Sequence, residues 1–370
     1  MIHYCFITGL YDRYDALMFE RQGLSLVEAG FKVTYVVCDQ LGNEVKNGIN
    51  IVSTGFSPRN RLHRFFRTKK ILLDYVDKVD ADVYQISDPE LIGLVSCIRK
   101  KGKKVVFNLR EYYPDMILGK TYIPKVLRPL ISSYSKKVLK RELKHYDAVF
   151  TVTDEFVDIL RKDFGLNNVY LLTNYPRPDY NFNLSKSDYL KRPNLLLYEG
   201  TVYIISRQEV VFDAIKDIPD LGYLIAGVIE KGYEEIKLHE YWPKVQFVNG
   251  FKIEQLKMFF SKATISNTLR DFGRLDGSLG VLKIFESMEA ALPVLFSDVP
   301  LYRKLVDKYK CGLCVDPNNP VAIRDAILYL INNKDIAYQM GQNARQAVLQ
   351  EFNWHKQAEV YIKVINSIIK

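Results

Sequence analysis

The chain has 370 residues, 48% of them hydrophobic and 26% charged, with a formal net charge of +9. That length exceeds one ordinary core and predicts two domains, and the composition excludes a disordered or fibrous chain. No apolar run approaches the roughly 18 residues that a membrane-spanning helix needs.

Taken in chain order, the N-terminus (Met1-Ile-His-Tyr-Cys-Phe-Ile-Thr-Gly9) lacks a basic region followed by a long apolar one. It therefore reads as a first strand rather than a signal peptide. Short β-rich runs then alternate with helical patterns, the signature of parallel sheets with crossover helices. Strands are expected at 2–7, 32–37, 83–86, 104–108, 148–152 and 169–172, then at 194–198, 221–226, 244–247, 263–265, 293–296 and 312–315. The pattern lapses between Asn174 and Pro193, where Asn174-Tyr-Pro-Arg-Pro-Asp-Tyr-Asn-Phe-Asn can continue neither helix nor strand. The expected division is a first domain over 1–175, a linker over 176–193, a second domain over 194–350 and a C-terminal helix over 351–370. That last helix is legible in the spacing of Ala358, Val360, Tyr361, Val364, Ile365 and Ile368.

The five cysteines are scattered and odd in number, which argues for a reducing compartment, with cytoplasm as the expectation. Cys311-Gly-Leu-Cys314 offers only two metal ligands, and neither a second pair nor a histidine cluster completes a tetrahedron, so no metal is expected. Basic residues crowd two stretches: Arg59, Arg61, Arg64, Arg67, Lys69 and Lys70, with Leu62, Phe65 and Phe66 interleaved, and Lys136, Lys137, Lys140, Arg141 and Lys144. They read either as solvated helix faces or as a surface for anionic lipid at the inner membrane face. No nucleic-acid-binding module accompanies the charge, and nucleic acid is not an expected partner.

The chemistry concentrates late in the chain. Ser278-Leu-Gly-Val-Leu-Lys283-Ile-Phe-Glu286 joins a glycine loop (Gly280, Val281, Leu282) to an amphipathic segment, and an apolar run from Leu292 to Phe296 follows. The free N–H groups and positive end of such a helix face an anion, and Glu286, one turn inside, is placed to hold ribose hydroxyls. Tyr198-Glu-Gly200-Thr-Val-Tyr-Ile-Ile-Ser-Arg207 begins as a strand, breaks at Gly200 and sets Arg207 near the next helix start. A guanidinium there can grip a diphosphate, or it can be a plain surface arginine. The strands ending at Gly227 and before Gly250-Phe251 let backbone approach a flat base closely.

In the first half stand Asp15-Ala-Leu-Met18-Phe-Glu20-Arg21-Gln22, Ser87-Asp88-Pro89-Glu90-Leu91, Asn108-Leu-Arg110-Glu111-Tyr-Tyr-Pro114, Lys120-Thr-Tyr-Ile-Pro124 and Thr173-Asn174-Tyr175-Pro176. With the later motifs, these resemble the retaining GT-B glycosyltransferases of glycosyltransferase family 4, in particular the bacterial surface-polysaccharide type, over nearly the whole chain. The sequence departs from the family pattern at several places. Met18 is displaced from Ile, and no arginine stands at Leu17. Ser87 and Arg110 replace histidines, Asn108 an aspartate, Gln208 a glycine, and Ser278 the first glutamate of a Glu-x7-Glu pair whose second is Glu286.

The resemblance implies an α/β GT-B fold: two Rossmann-like doubly wound domains facing a central cleft, with a C-terminal helix that can cross back. It implies transfer, with retention, of a sugar from a nucleotide diphosphate donor to a lipid-linked or surface-polysaccharide glycan, with no metal or other cofactor. Gly200, Gly227, Gly250, Phe251, Gly280, Val281, Leu282 and Glu286 would bind the donor. Arg207, Lys283 and Arg110 would be the catalytic cations that stabilise the departing diphosphate, which itself can take the acceptor's proton. Asp88, Glu90 and Glu111 would meet the acceptor, although Asp88 equally reads as a helix N-cap ahead of Pro89. Two alternatives stand beside this reading. One is a non-catalytic glycan- or nucleotide-binding partner; the other is a nucleotide-sugar epimerase, for which five histidines are few.

Overall fold

The computed structural model describes residues 1–59, 63–120, 123–178, 184–251, 253–272 and 282–370. The chain forms two compact units, one of residues 1–174 with 355–370 and one of residues 175–354.

The first unit is built on an eight-stranded sheet of order β3-β4-β2-β1-β5-β6-β7-β8. The strands are β1 (His3–Thr8), β2 (Lys32–Val37), β3 (Glu44–Lys46), β4 (Ile49–Ser53), β5 (Val83–Ile86), β6 (Lys104–Leu109), β7 (Ala148–Thr151) and β8 (Val169–Leu171). All pairs are parallel except β3 with β4. That hairpin lies outside the expected strands. Its two-residue turn is Asn47-Gly48, with φ of 52° and 79°, the left-handed pair that a tight hairpin demands. An Asn-Gly signal was therefore present in the sequence, and Ile49 and Ile51 alternate in β4, but β3 is only Glu-Val-Lys, too short and polar to show a strand pattern.

The final helix, Trp354–Ile369, belongs to this first unit. Its anchor is the buried Tyr361, whose hydroxyl lies 3.0 Å from that of Tyr4 and 2.8 Å from Gln85 Oε1, with its ring 5.1 Å from Phe150. Three strands thus hold one helical side chain, and the chain end returns to where it began.

The second unit carries a wholly parallel six-stranded sheet of order β11-β10-β9-β12-β13-β14. Its strands are β9 (Asn194–Glu199), β10 (Leu221–Gly227), β11 (Val245–Asn249), β12 (Ile265–Asn267), β13 (Val294–Ser297) and β14 (Gly312–Val315). The chain leaves β9 toward β10 on one side and later resumes at β12 on the other. This switch point is where an open α/β sheet binds ligands, at the carboxyl ends of its strands.

Part of the expected linker over 176–193 is helical. Lys186–Lys191 forms a short helix that belongs to the second unit, with Ser185 accepting from the Asp188 N–H at 3.1 Å. Tyr189 is buried there and its hydroxyl donates to the Thr264 carbonyl at 2.8 Å. The proline and asparagine rule applied to residues that precede this turn, of which 179–183 lie outside the described residues. Among the described residues, no helix is long and apolar enough to cross a membrane.

Candidate active site

At the carboxyl edge of the second sheet, three neighbouring strands end in a glycine or directly before one. Gly200 donates its N–H to the Ala226 carbonyl at 2.8 Å, and Gly250 donates to the Gly227 carbonyl at 2.8 Å. A Cβ built on Gly227 would stand 1.8 Å from the Gly200 carbonyl oxygen, so no side chain fits between these two strand ends. The row is a flat ledge of bare backbone. Beside it the half-buried Phe251 packs edge-on against Phe259, with ring centroids 5.7 Å apart.

The helix Leu282–Glu289 starts at this same edge, because it follows a parallel strand and precedes another. Ser287 fixes it to β12 through a 2.6 Å contact with the Ser266 hydroxyl. Leu282 opens the helix, and Lys283 and Glu286, three residues apart, share one of its faces. The Lys283 ammonium lies 4.0 Å above the Tyr198 ring. Burial, together with the positive charge of Arg270, pushes its pKa down to about 8 against the pull of Glu199 and Tyr203. Glu286 is buried.

Glu199, the last residue of β9, is 6% exposed, and its Oε1 has no hydrogen-bond partner among the described residues. Burial first and the neighbouring Glu286 second push its pKa up to about 8, with Lys283 opposing. Glu199 thus has a second carboxyl group and an ammonium as its electrostatic neighbours at the switch point. Gly280 and Val281, the remaining loop positions expected to meet the donor, lie outside the described residues.

Arg207 stands at the start of helix Gln208–Ile215 with a left-handed φ of 50°. Its guanidinium is shared by Asp271, at 2.8 Å, and Glu209, at 3.4 Å. Gln208, where the family pattern has glycine, is fully buried and accepts a hydrogen bond from the Tyr223 hydroxyl, which in turn accepts from Asn267 at 2.7 Å. That buried chain ties the helix start to the end of β12.

The first unit has its own switch point, between β1 and β5. Asp88 occupies it: the carboxylate accepts from the Thr8 hydroxyl at 2.8 Å and from the Gly9 N–H at 2.7 Å. Burial pushes its pKa up to about 7 against those two bonds. Asp88 is also the N-cap residue of the turn Pro89–Leu94, yet its side chain makes no bond to that turn. Glu90 lies 3.6 Å from Arg64 and leaves its Oε2 without a partner among the described residues. Glu111 is exposed.

Arg110 forms a two-pronged pair with Asp15, at 3.0 and 2.6 Å, and its guanidinium lies 3.9 Å over the Tyr11 ring. The free positive charge expected of Arg110 is therefore neutralised within its own domain. Ser87 donates to Met18 Sδ at 3.4 Å, so two of the departures from the family pattern compensate each other. Asn108 is buried, and both polar atoms of its amide lack partners among the described residues.

Residues 21–174 match the profile described as Glycosyltransferase Family 4, and residues 181–347 match Glycosyl transferases group 1. The chain belongs to the family 4 type of GT-B glycosyltransferases.

An uncharacterized glycosyltransferase of Methanocaldococcus jannaschii, MJ1178, is 26% identical over 194 residues; the match spans 52% of this chain and 49% of that protein, about half the length of each. In fold, this GT-B chain is similar to sucrose-phosphate synthase from Thermosynechococcus elongatus, with a TM-score of 0.73, 17% identity and coverage of 100% and 99% of the two chains. It is also similar to Anabaena HepE (Alr3699), whose structure holds UDP and glucose, with a TM-score of 0.69, 12% identity and coverage of 99% and 100%.

Sequence reasoning missed Glu199 and Arg270. The first was hidden inside a strand-ending Tyr-Glu-Gly whose glycine drew attention, and no spacing rule links it to Glu286. Arg270 stacks over the Tyr203 and Phe272 rings, at 5.4 and 5.7 Å, from a loop that carries no recognisable pattern. Among the described residues, no group of three or more His, Cys, Asp or Glu side chains is placed to hold a metal ion.

Proposed function

We propose that this protein is a retaining glycosyltransferase that moves a sugar from a nucleotide diphosphate donor to a glycan on a lipid carrier or growing surface polysaccharide. The observation that supports it most is the carboxyl edge of the second sheet. There a glycine ledge, a helix start and the cluster Glu199, Lys283 and Glu286 meet at one switch point. Bare backbone at Gly200, Gly227 and Gly250 lets a flat base lie close, and Glu286 is placed for ribose hydroxyls. The ammonium of Lys283 supplies charge against the departing diphosphate, an electrostatic contribution that needs no metal. Arg207 adds to it if the diphosphate displaces Asp271 or Glu209. On the first unit, the open amide of Asn108 and the open oxygen of Glu90 suit the hydroxyls of a sugar acceptor.

A second reading is favoured by one set of observations: Arg207 and Arg110 are both ion-paired, and Ser278 stands where the family has a glutamate. A non-catalytic nucleotide- or glycan-binding partner would look the same at this level. Thermal unfolding with UDP and UDP-glucose as first probes, followed by a hydrolysis assay, separates the two. A donor at a hundred times its Kd stabilises the fold by about 2.7 kcal/mol. Stabilisation with slow hydrolysis supports the transferase. Stabilisation without turnover, even with lipid-linked glycan present, favours the binding partner, and no stabilisation by any nucleotide-sugar in a wider panel removes the donor site.

A further inference from the structure

Six large apolar side chains that stand exposed crowd one stretch of the first unit: Leu118, Val126, Leu127, Leu130, Ile131 and Tyr134. Single exposed apolar residues are ordinary, whereas a cluster of this kind marks an interaction surface. The helix Arg128–Leu143 meets its domain core through Leu139 and Leu143, in its C-terminal half, with Val138 alongside. Spacing of three and four residues places Leu130, Tyr134, Lys137 and Arg141 on the side away from those anchors. Val126 extends this stripe one turn before the helix, and Lys144 extends it just after. The first half of the stripe is apolar, with Val126, Leu130 and Tyr134 exposed by 84%, 68% and 69%; the second half is cationic.

No acidic residue occurs from Met116 to Arg141, although Lys120, Lys125, Arg128, Lys136, Lys137 and Lys140 all fall in that span. Arg128 donates through Nε to the Ile123 carbonyl at 2.8 Å and so braces the turn that presents Val126 and Leu127. Lys136 and Lys140 lean on Asp163, while Lys125, Lys137 and Lys144 stand in solvent. The other basic stretch is used differently. Arg64 faces Glu90, Arg67 lies 5.0 Å over the Phe56 ring, and Arg61 is outside the described residues.

We infer that this face seats the protein on an anionic lipid bilayer. Val126, Leu130 and Tyr134 enter the boundary between head groups and acyl chains, and Lys125, Lys137 and Lys144 meet lipid phosphates, joined by the exposed Arg141, which in the free protein pairs with Glu142 at 2.7 Å. The charge selects the occupant: a second copy would bring like charges together, whereas anionic lipid complements both halves of the stripe. The inference rests on the lipid-linked reading of the acceptor for its purpose, but its test uses no sugar donor.

Sedimentation with vesicles of phosphatidylcholine, or of equimolar phosphatidylcholine and phosphatidylglycerol, reads the partition directly. The full chain should bind the anionic vesicles at least about tenfold better than the neutral ones, and less at high salt. Leu130→Ser with Tyr134→Ser should lower anionic binding by about tenfold, from the apolar area withdrawn. Lys137→Glu with Arg141→Glu should lower it by a similar or larger factor, about tenfold or more. Both pairs are exposed and should melt like the parent. Absence of vesicle binding overturns the inference, as does binding that neither pair changes. A concentration-dependent dimer abolished by the serine pair, without vesicle binding, assigns the face to a second copy instead. Donor hydrolysis retained by all variants leaves the catalytic reading standing whichever way the vesicles answer.

Discussion

At the switch point of the first sheet, Asp88 closes the gap between β1 and β5, its carboxylate taken up by the Thr8 hydroxyl and the Gly9 amide. At the switch point of the second, Glu199 has an oxygen without a partner among the described residues, beside a lysine and a second glutamate that crowd it. Arg110 is likewise held by Asp15 in the first unit. What the first unit leaves open includes a neutral amide, Asn108, the kind of group that suits hydroxyls. The same doubly wound plan thus gives Asp88 two donors at one switch point and, among the described residues, leaves one Glu199 oxygen without a donor at the other. Buried groups without partners are costly, so the Glu199 oxygen in the second unit, like the Asn108 amide and the Glu90 oxygen in the first, is a physical pointer to a ligand.

The comparison can be broken most decisively at Gly227. Gly227→Ala forces a methyl group into the Gly200 carbonyl and should destabilise the fold by about 3 kcal/mol, read as a drop in denaturant midpoint. A midpoint like the parent's would mean that the ledge relaxes freely. Lys283→Ala should come next, lowering turnover about a hundredfold through lost stabilisation of the leaving group; parental turnover would take Lys283 out of the chemistry. Arg110→Leu tests the other side of the contrast. It strands a mostly buried Asp15 and should cost about 2 kcal/mol of stability, with nucleotide affinity unchanged. An affinity that collapsed along with it would show that the pair serves the donor after all. Glu286→Ala should weaken nucleotide binding about tenfold, the worth of a lost charged hydrogen bond; calorimetry showing equal affinity would move Glu286 out of the site.

A further test of the contrast concerns protons. Burial and Glu286 raise the Glu199 pKa from the ordinary value of 4.5 to about 8, so between those values the folded chain keeps a proton that the unfolded chain has lost. Stability therefore falls as pH rises across that window and the Glu199 contribution levels off above it. Lys283, pushed down to about 8, contributes the opposite slope only above that pH. Glu199→Gln should match the parent near the low end of the window and exceed it increasingly toward the high end. Parallel melting curves for the two proteins across the window would show that Glu199 is solvated.

The alternation of apolar runs with helical spacing determined by itself that two parallel-sheet units exist, and it located most of their strands. Strand propensity and helical periodicity are local, and they survive in a one-dimensional reading. Gly200, Gly227, Gly250, Arg207, Lys283 and Glu286 could be singled out for the same reason, since each stands near a strand end, and their roles at the donor are the proposal made above. Only the tertiary structure could decide which charges remain open. Arg110 and Asp15 are far apart in sequence, as are Glu199 and Glu286, and whether a group is answered depends on what folding brings beside it. The same holds for Tyr361, whose partners Tyr4, Gln85 and Phe150 lie on three strands. It holds as well for the exposed stripe of helix Arg128–Leu143. Its residues spell an amphipathic pattern, but only packing shows that the domain core takes Leu139 and Leu143 and leaves Leu130 and Tyr134 facing outward.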